Sequence, residues 1–157
     1  MKTLIVFFSR SGRTRRLAEE IEGRLGSDIE EIRESKGRGG AIGWLKSGME
    51  STRMMLPKIN ALERDPGAYD LVLVGTPIWA SNMSSPVRAF ITEHRDRIQE
   101  AAFFCTGDGD DPGKVFGPME ELLGKRPIAT MGLIGEEREN PDSLKKIEEF
   151  VERVSSA

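Results

Sequence analysis

A hydroxyl-rich turn near the amino terminus carries the side chains best suited to chemistry. Ser9, Ser11, Gly12 and Thr14 follow the apolar run Leu4–Phe8, and such a run is typical of a strand buried on both faces. The apolar residues that come next recur at helical spacing, which predicts a helix from about Thr14. Unpaired N–H groups at a helix N-terminus, with hydroxyls beside them, would bind an anion. We interpret the turn as a cradle for a single terminal phosphate; the alternative is that the hydroxyls only cap the helix.

Other phosphate-binding motifs are absent from the sequence. It contains no Gly-x-x-x-x-Gly-Lys-Ser/Thr loop for nucleoside triphosphates and no Gly-x-Gly-x-x-Gly dinucleotide fingerprint. Arg10 and Arg13 flank the turn, where they either add positive charge to the site or lie solvated at the surface.

The rest of the chain alternates between apolar strands and amphipathic helices. Strands are predicted at about 4–8, 28–32, 69–76, 101–105 and 127–134. Five strands alternating with about five helices predict an α/β fold, one domain over 1–157 with a doubly wound parallel sheet. The polar loops 9–14, 76–84 and 106–111 each follow a strand. Because ligands of such sheets bind outside the carboxyl ends of the strands, we expect these loops to meet at one rim.

Helix boundaries can also be predicted from turn residues. Prolines mark the first turn of three helices, and the polar residue before each is expected to be the cap: Ser85, Asp111 and Asn140. In the last helix Leu144 is expected in the buried stripe, and His94, within a charged run, is expected to be solvated surface.

The stretch from Arg33 to Leu56 gives the least definite pattern. Glycines lead into an approximate helical face formed by Ile42, Leu45, Met49, Thr52 and Leu56. Its helix either packs on the sheet or uses further apolar residues to line a pocket or a subunit contact: Trp44, Met54 and Met55.

Composition indicates a globular domain. The chain has 157 residues, 31% of them charged, and a formal net charge of −3; this balance gives no basic footprint for nucleic acid. No apolar run is long enough for a signal peptide or a membrane span, so no membrane partner is expected. Cys105 is the single cysteine, which fits a cytoplasmic location.

Three segments together resemble flavodoxin and the wider flavodoxin-like FMN proteins, over essentially the whole chain. Ser9-Arg10-Ser11-Gly12-Arg13-Thr14 matches that family's Ser/Thr-x-Ser/Thr-Gly-x-Thr phosphate loop. Gly75-Thr76-Pro77-Ile78-Trp79 resembles the strand and aromatic flavin loop, and Thr106-Gly107-Asp108-Gly109 sits where the family wraps the pyrimidine side of the ring. The resemblance implies a three-layer αβα sandwich with strand order 2-1-3-4-5 and FMN as cofactor. The implied cofactor-binding residues are Ser9, Arg10, Ser11, Gly12, Arg13, Thr14, Thr76, Pro77, Ile78, Trp79, Ala80, Thr106, Gly107, Asp108 and Gly109.

The residue chemistry agrees with FMN. Trp79 follows a strand and could stack on a flat flavin ring, unless it is a core residue turned under the loop. Acidic residues beside the ring are expected to disfavour the negatively charged reduced flavin and lower its potential: Asp108, Asp110 and Asp111.

Two redox roles then remain open. One is an electron carrier that meets a redox partner protein; the other is an NAD(P)H-dependent FMN or quinone reductase with a small quinone-type acceptor, and either could be a homodimer. Carriers of this family commonly have a glycine in the second loop, whose peptide can flip, whereas this loop has Ala80, Ser81 and Asn82. Positive φ costs glycine little and alanine more, although Asn82 tolerates it, so we expect this loop to stabilise the one-electron-reduced flavin less than a glycine-containing loop would.

Two other functional classes are disfavoured by single residues. A phosphatase of related topology needs an arginine six positions after its cysteine, and that position is Asp111, so Cys105 is expected to be a buried strand thiol. A signalling receiver needs an acidic residue at the end of a central strand, but the first two central strands end at Ser9 and Thr76.

Overall fold

The computed structural model describes residues 1–35, 56–135 and 140–157. The predicted helical face at 42–56, with Trp44, Met54 and Met55, lies outside the described residues except for Leu56. Leu56 is 52% exposed.

A parallel sheet forms the centre of the molecule. Its strands are β1 (Thr3–Phe7), β2 (Asp28–Glu31), β3 (Leu71–Trp79), β4 (Asn82–Met83), β5 (Glu100–Gly107) and β6 (Thr130–Ile134). The order across the sheet is β2-β1-β3-β5-β6, and the short β4 pairs antiparallel with β3. When β4 is left out and the other five strands are numbered 1 to 5 along the chain, this order is 2-1-3-4-5. The predicted strand order is therefore confirmed. The long apolar runs of β1, β3 and β5 explain their central positions, because a strand covered on both faces has no polar side.

Helices cover both faces of this sheet. They are α1 (Arg13–Leu25), α2 (Ser85–His94), α3 (Gly113–Leu123) and α4 (Pro141–Ser155). Alternate residues of each strand point to opposite faces, and two separate cores result. One joins α1 and α4 through Ile21, Ile147 and Phe150; the other joins α2 and α3 through Phe90, Val115 and Met119. The predicted α/β sandwich is therefore confirmed. Across the described ranges, no helix is long and apolar enough to cross a bilayer.

Strand β3 is longer than the sequence pattern predicts. It continues through Pro77-Ile78-Trp79, then turns back at Ala80 and Ser81 into β4, so the prediction that the strand gives way to a loop at Thr76 is wrong. Ala80 has φ 49° and Ser81 has φ 59°, which is the pattern of a type I′ two-residue hairpin. Ala80 adopts positive φ although this costs alanine more than glycine, because closure of the hairpin overrides the local preference.

Relieving this turn should stabilise the protein. Ala80→Gly is expected to raise the free energy of unfolding by about 0.5–1 kcal/mol, because an L-residue in the left-handed region costs about 1 kcal/mol that glycine avoids. Urea denaturation monitored by circular dichroism measures this change in the free energy of unfolding. Ala61→Gly, at an exposed loop position without positive φ, is the matched control and should not stabilise. Equal effects of the two changes would contradict the strain at Ala80.

Several predicted boundaries need correction by small amounts. The residue capping α2 is Ser84, not Ser85. Asp111 caps α3 from one position further out, accepting a hydrogen bond from the Gly113 amide at 2.9 Å. Asn140 caps α4 as predicted, accepting from the Asp142 amide at 3.1 Å.

Two side chains lie elsewhere than expected. Leu144 is 49% exposed, not buried, because the buried face of α4 runs through Ser143, Ile147 and Phe150 instead. His94 is half-buried rather than fully solvated and lies against Phe90, with ring centroids 5.1 Å apart. Removal of water lowers the pKa of His94.

Candidate functional site

The turn between β1 and α1 presents a helix N-terminus to the carboxyl edge of the sheet. Gly12 is the N-cap of α1 and has φ 93°, a left-handed conformation that glycine adopts without strain. The first helical hydrogen bond runs from the Arg16 amide to the Gly12 carbonyl at 3.0 Å. The amides of the preceding first turn therefore have no acceptor within the helix. That turn contains no acidic side chain, so its positive potential is not cancelled locally.

Four hydroxyl side chains lie at or close to this N-terminus. Ser9 is buried and its Oγ accepts a hydrogen bond from the Gly12 amide at 3.1 Å, which leaves its own O–H free to donate elsewhere. The hydroxyls of Thr14 and Thr106 are buried and lie 3.0 Å apart. One of them donates to the other, so the pair retains one further donor. Ser11 is exposed at the tip of the turn. The donor set suits an oxyanion.

Side-chain contacts connect all three polar loops. Arg13 Nη1 lies 2.7 Å from Asp108 Oδ1, and Thr14 meets Thr106 as above. Ser81 Oγ donates to Asp110 Oδ1 at 3.0 Å. The predicted convergence of the loops is confirmed. The Arg13–Asp108 ion pair was not predicted, because no local pattern relates residues 95 positions apart.

The second loop places an aromatic surface beside the turn. Trp79 is half-buried at the end of β3 and meets Phe8 edge-on, with ring centroids 5.4 Å apart and planes at 86°. Trp79 is thus neither a free loop residue nor a fully buried core residue. The contact with Phe8 was not predicted, although Phe8 is the last apolar residue before the hydroxyl turn.

Other predicted site residues have structural contacts. Thr76 is buried, and its Oγ1 accepts a hydrogen bond from the Ser84 amide at 2.9 Å. Gly107 ends β5, and a Cβ there would lie 2.8 Å from Ile78 Cδ1, so a larger residue would require the Ile78 side chain to move. Gly109 has open space around it, and Arg10 is exposed.

A cavity lies behind the turn, between α1 and α4. Its volume is about 290 Å³. Its polar lining residues are Arg13, Arg16, Glu20, Thr106 and Ser143, and its apolar lining residues are Leu17, Leu133, Leu144 and Ile147. The exposed face of Leu144 opens onto this cavity. Within the described parts of the chain, no group of three His, Cys, Asp or Glu residues is arranged to hold a metal.

Cys105 is a structural thiol, as predicted. It is fully buried in β5, and burial raises its pKa to about 12. A thiol that stays protonated at neutral pH is not a nucleophile.

The raised thiol pKa has a consequence for stability at alkaline pH. The unfolded chain loses the Cys105 proton near pH 9, but the folded chain keeps it to about pH 12, so this group's contribution is complete below pH 9 and is lost between pH 9 and 12. Wild type is expected to lose stability more steeply than Cys105→Ala in that range, by up to about 1.4 kcal/mol per pH unit. Parallel pH–denaturation profiles of the two proteins would contradict the raised pKa.

Comparison with known proteins finds similarity at the level of structure. No family model and no curated protein matches the chain. A flavoprotein from Lactobacillus acidophilus NCFM, crystallised in complex with FMN, is similar with a TM-score of 0.76 and 23% identity, over 95% of this chain and 97% of that one. A putative flavoprotein from Bacteroides eggerthii DSM 20697 has a TM-score of 0.77 at 22% identity, covering 98% of both chains. Two-electron-reduced Megasphaera elsdenii flavodoxin has a TM-score of 0.64 at 20% identity, covering 99% of both.

The chain has the flavodoxin-like fold. In a flavodoxin-like sheet the ligand-binding rim is the carboxyl edge of the central strands. That edge is where the hydroxyl turn, Trp79 and the Thr106–Gly109 segment meet in this protein.

Proposed function

We propose that the protein is an FMN-binding, flavodoxin-like electron-transfer protein. The observation that carries the proposal is the helix N-terminus at Gly12, which has the Ser9 and Thr14 hydroxyls beside it and no acidic residue in its first turn. The FMN present in the similar Lactobacillus acidophilus flavoprotein supports it.

In this proposal each loop has one role toward the cofactor. Loop 9–14 holds the phosphate through backbone amides and hydroxyls, and Arg13 adds positive charge while its ion pair keeps the third loop against the first. Loop 76–84 supplies the ring contact through Trp79, whose outer surface is accessible. Loop 106–111 supplies backbone groups to the ring edge. FMN, when bound, supplies one- or two-electron redox chemistry, and the protein sets its potential and access.

The hairpin at Ala80 and Ser81 removes one argument against the electron-carrier role. Both residues already have positive φ, so the absence of glycine does not prevent this loop from reaching such conformations. The partner of a carrier would be a redox protein or a small quinone-type acceptor. The reductase reading has no second nucleotide motif to support it.

The test of the cofactor is titration of apo protein with FMN and with riboflavin, followed by flavin fluorescence. We expect FMN to bind at micromolar concentration or below and riboflavin to bind more weakly, because only FMN carries the phosphate. Failure to bind FMN at micromolar levels, or equal affinity for both flavins, would overturn the proposal.

Reduction of the loaded protein separates the two redox roles. Photoreduction that gives a long-lived blue, one-electron-reduced flavin supports the carrier. Direct two-electron bleaching by NADH or NADPH, without that blue species, supports the reductase.

A further inference from the structure

Arg88 is a buried cation without a hydrogen-bond partner at two of its nitrogens. The residue is 6% exposed, and its Nε and Nη2 make no hydrogen bond in the described part of the chain. Burial lowers the pKa of Arg88, but a guanidinium keeps its charge in proteins. Transferring a charge from water to the protein interior without a partner costs several kcal/mol. Buried charged groups are therefore normally paired, and Arg88 is an exception to that rule.

The position of Arg88 relates this charge to the proposed cofactor rim. Its amide donates to the Ser84 carbonyl at 3.0 Å, and the Ser84 amide donates to Thr76 Oγ1 at 2.9 Å. Two hydrogen bonds thus connect the Arg88 backbone to the last buried residue of β3, a separation of roughly 10 Å. Helical side chains lean toward the helix N-terminus, which for α2 is the end that meets the second loop.

Among the residues that the structure describes, the other charged side chains near this rim are hydrogen-bonded or exposed. Asp108 is paired with Arg13, Asp110 accepts from Ser81, and Asp111 accepts from the Gly113 amide. Arg10 is exposed, where water and salt screen it. A buried, unpaired charge acts over a longer distance than these, because the medium around it screens less.

We propose that the charge of Arg88 strengthens the binding of reduced FMN relative to oxidised FMN. The inference rests on the proposed function. Two electrons from an external reductant and one proton from water convert oxidised FMN into a ring with one added negative charge at neutral pH. Attraction between that charge and Arg88 favours the reduced form, opposite in direction to the effect expected from Asp108, Asp110 and Asp111.

The test compares Arg88→Met, which removes the charge at similar length, with Arg88→Lys, which keeps it. Oxidised FMN affinity is measured by fluorescence, and the midpoint potential of the bound flavin is measured against that of free FMN in anaerobic dithionite titrations. These give the ratio of reduced to oxidised affinities. We expect wild type and Arg88→Lys to exceed Arg88→Met in this ratio by about tenfold, with oxidised affinities nearly equal. Arg88→Gln, polar but neutral, replaces Arg88→Met if that variant does not fold.

A measurement without cofactor tests the premise. Apo Arg88→Met is expected to melt at a higher temperature than the wild type, because an unpaired buried charge is removed. A lower melting temperature, or an unchanged affinity ratio in protein that binds oxidised FMN normally, overturns the role of Arg88 and leaves the FMN assignment standing. Failure of wild type to bind oxidised FMN overturns both.

Discussion

Gly12→Asp is expected to weaken FMN binding by at least about 100-fold while leaving riboflavin binding nearly unchanged. The substitution places a carboxylate at the N-cap of α1, where the proposed phosphate would lie. Two like charges 4 Å apart repel by about 4 kcal/mol at an effective dielectric constant of 20, and the phosphate is doubly charged. Flavin fluorescence titrations measure both affinities.

The control for this prediction is Gly12→Asn, which has the same shape without the charge. Both side chains tolerate the φ of 93° at Gly12 better than most residues do, and both are good N-caps. The two apo variants should therefore be similarly stable. A loss of FMN affinity that occurs in Gly12→Asp but not in Gly12→Asn is then an effect of charge. Equal FMN affinity in the Asp and Asn variants would mean that the phosphate binds elsewhere.

Gly75→Ala is expected to destabilise the sheet by overpacking it against Phe104. A Cβ at Gly75 would lie 2.2 Å from Cζ and 2.3 Å from Cε2 of Phe104. Phe104 is fully buried and meets Phe150 edge-on, with ring centroids 6.5 Å apart, so its ring has little room to move. Overpacking of this kind costs about 1–3 kcal/mol, measurable by urea denaturation.

Two further variants make this prediction specific. In the double variant Gly75→Ala with Phe104→Leu, the shorter leucine side chain removes the clash. The double variant should therefore lose less free energy of unfolding than the two single variants lose together. Gly23→Ala, in α1 with nothing within 4 Å of its Cβ, should stabilise by about 0.5–1 kcal/mol. Additive effects at positions 75 and 104 would show that the ring is not the obstacle.

The fold was predictable because its signals are local. The apolar runs of the central strands, the glycines that end α1 and α3, and the cap at Asn140 each specify an element from a few neighbouring residues. Parallel connection then restricts the strand order. The sequence pattern failed at residues 77–83, where pairing of β3 with β4 extended the strand and imposed positive φ on Ala80.

The candidate site was predictable in its loops but not in its contacts. Strand ends identified the loops, because the carboxyl edge of a parallel sheet brings them together. The Arg13–Asp108 pair and the isolation of Arg88 depend on which side chains meet across the fold, and a single sequence carries no record of that. Leu144 was misplaced because a helical stripe has a width, and the residues at its margin can face either core or solvent.

The edge-on contact with Phe8 holds the Trp79 indole at the rim where FMN is proposed to bind, so its fluorescence is expected to report cofactor binding. The chain contains two tryptophans, Trp44 and Trp79, so a Trp44→Phe variant emits from the indole at the rim alone. Energy transfer from that indole to bound FMN would lower the indole fluorescence. Stopped-flow mixing could then measure the rates of FMN binding and release without an attached dye.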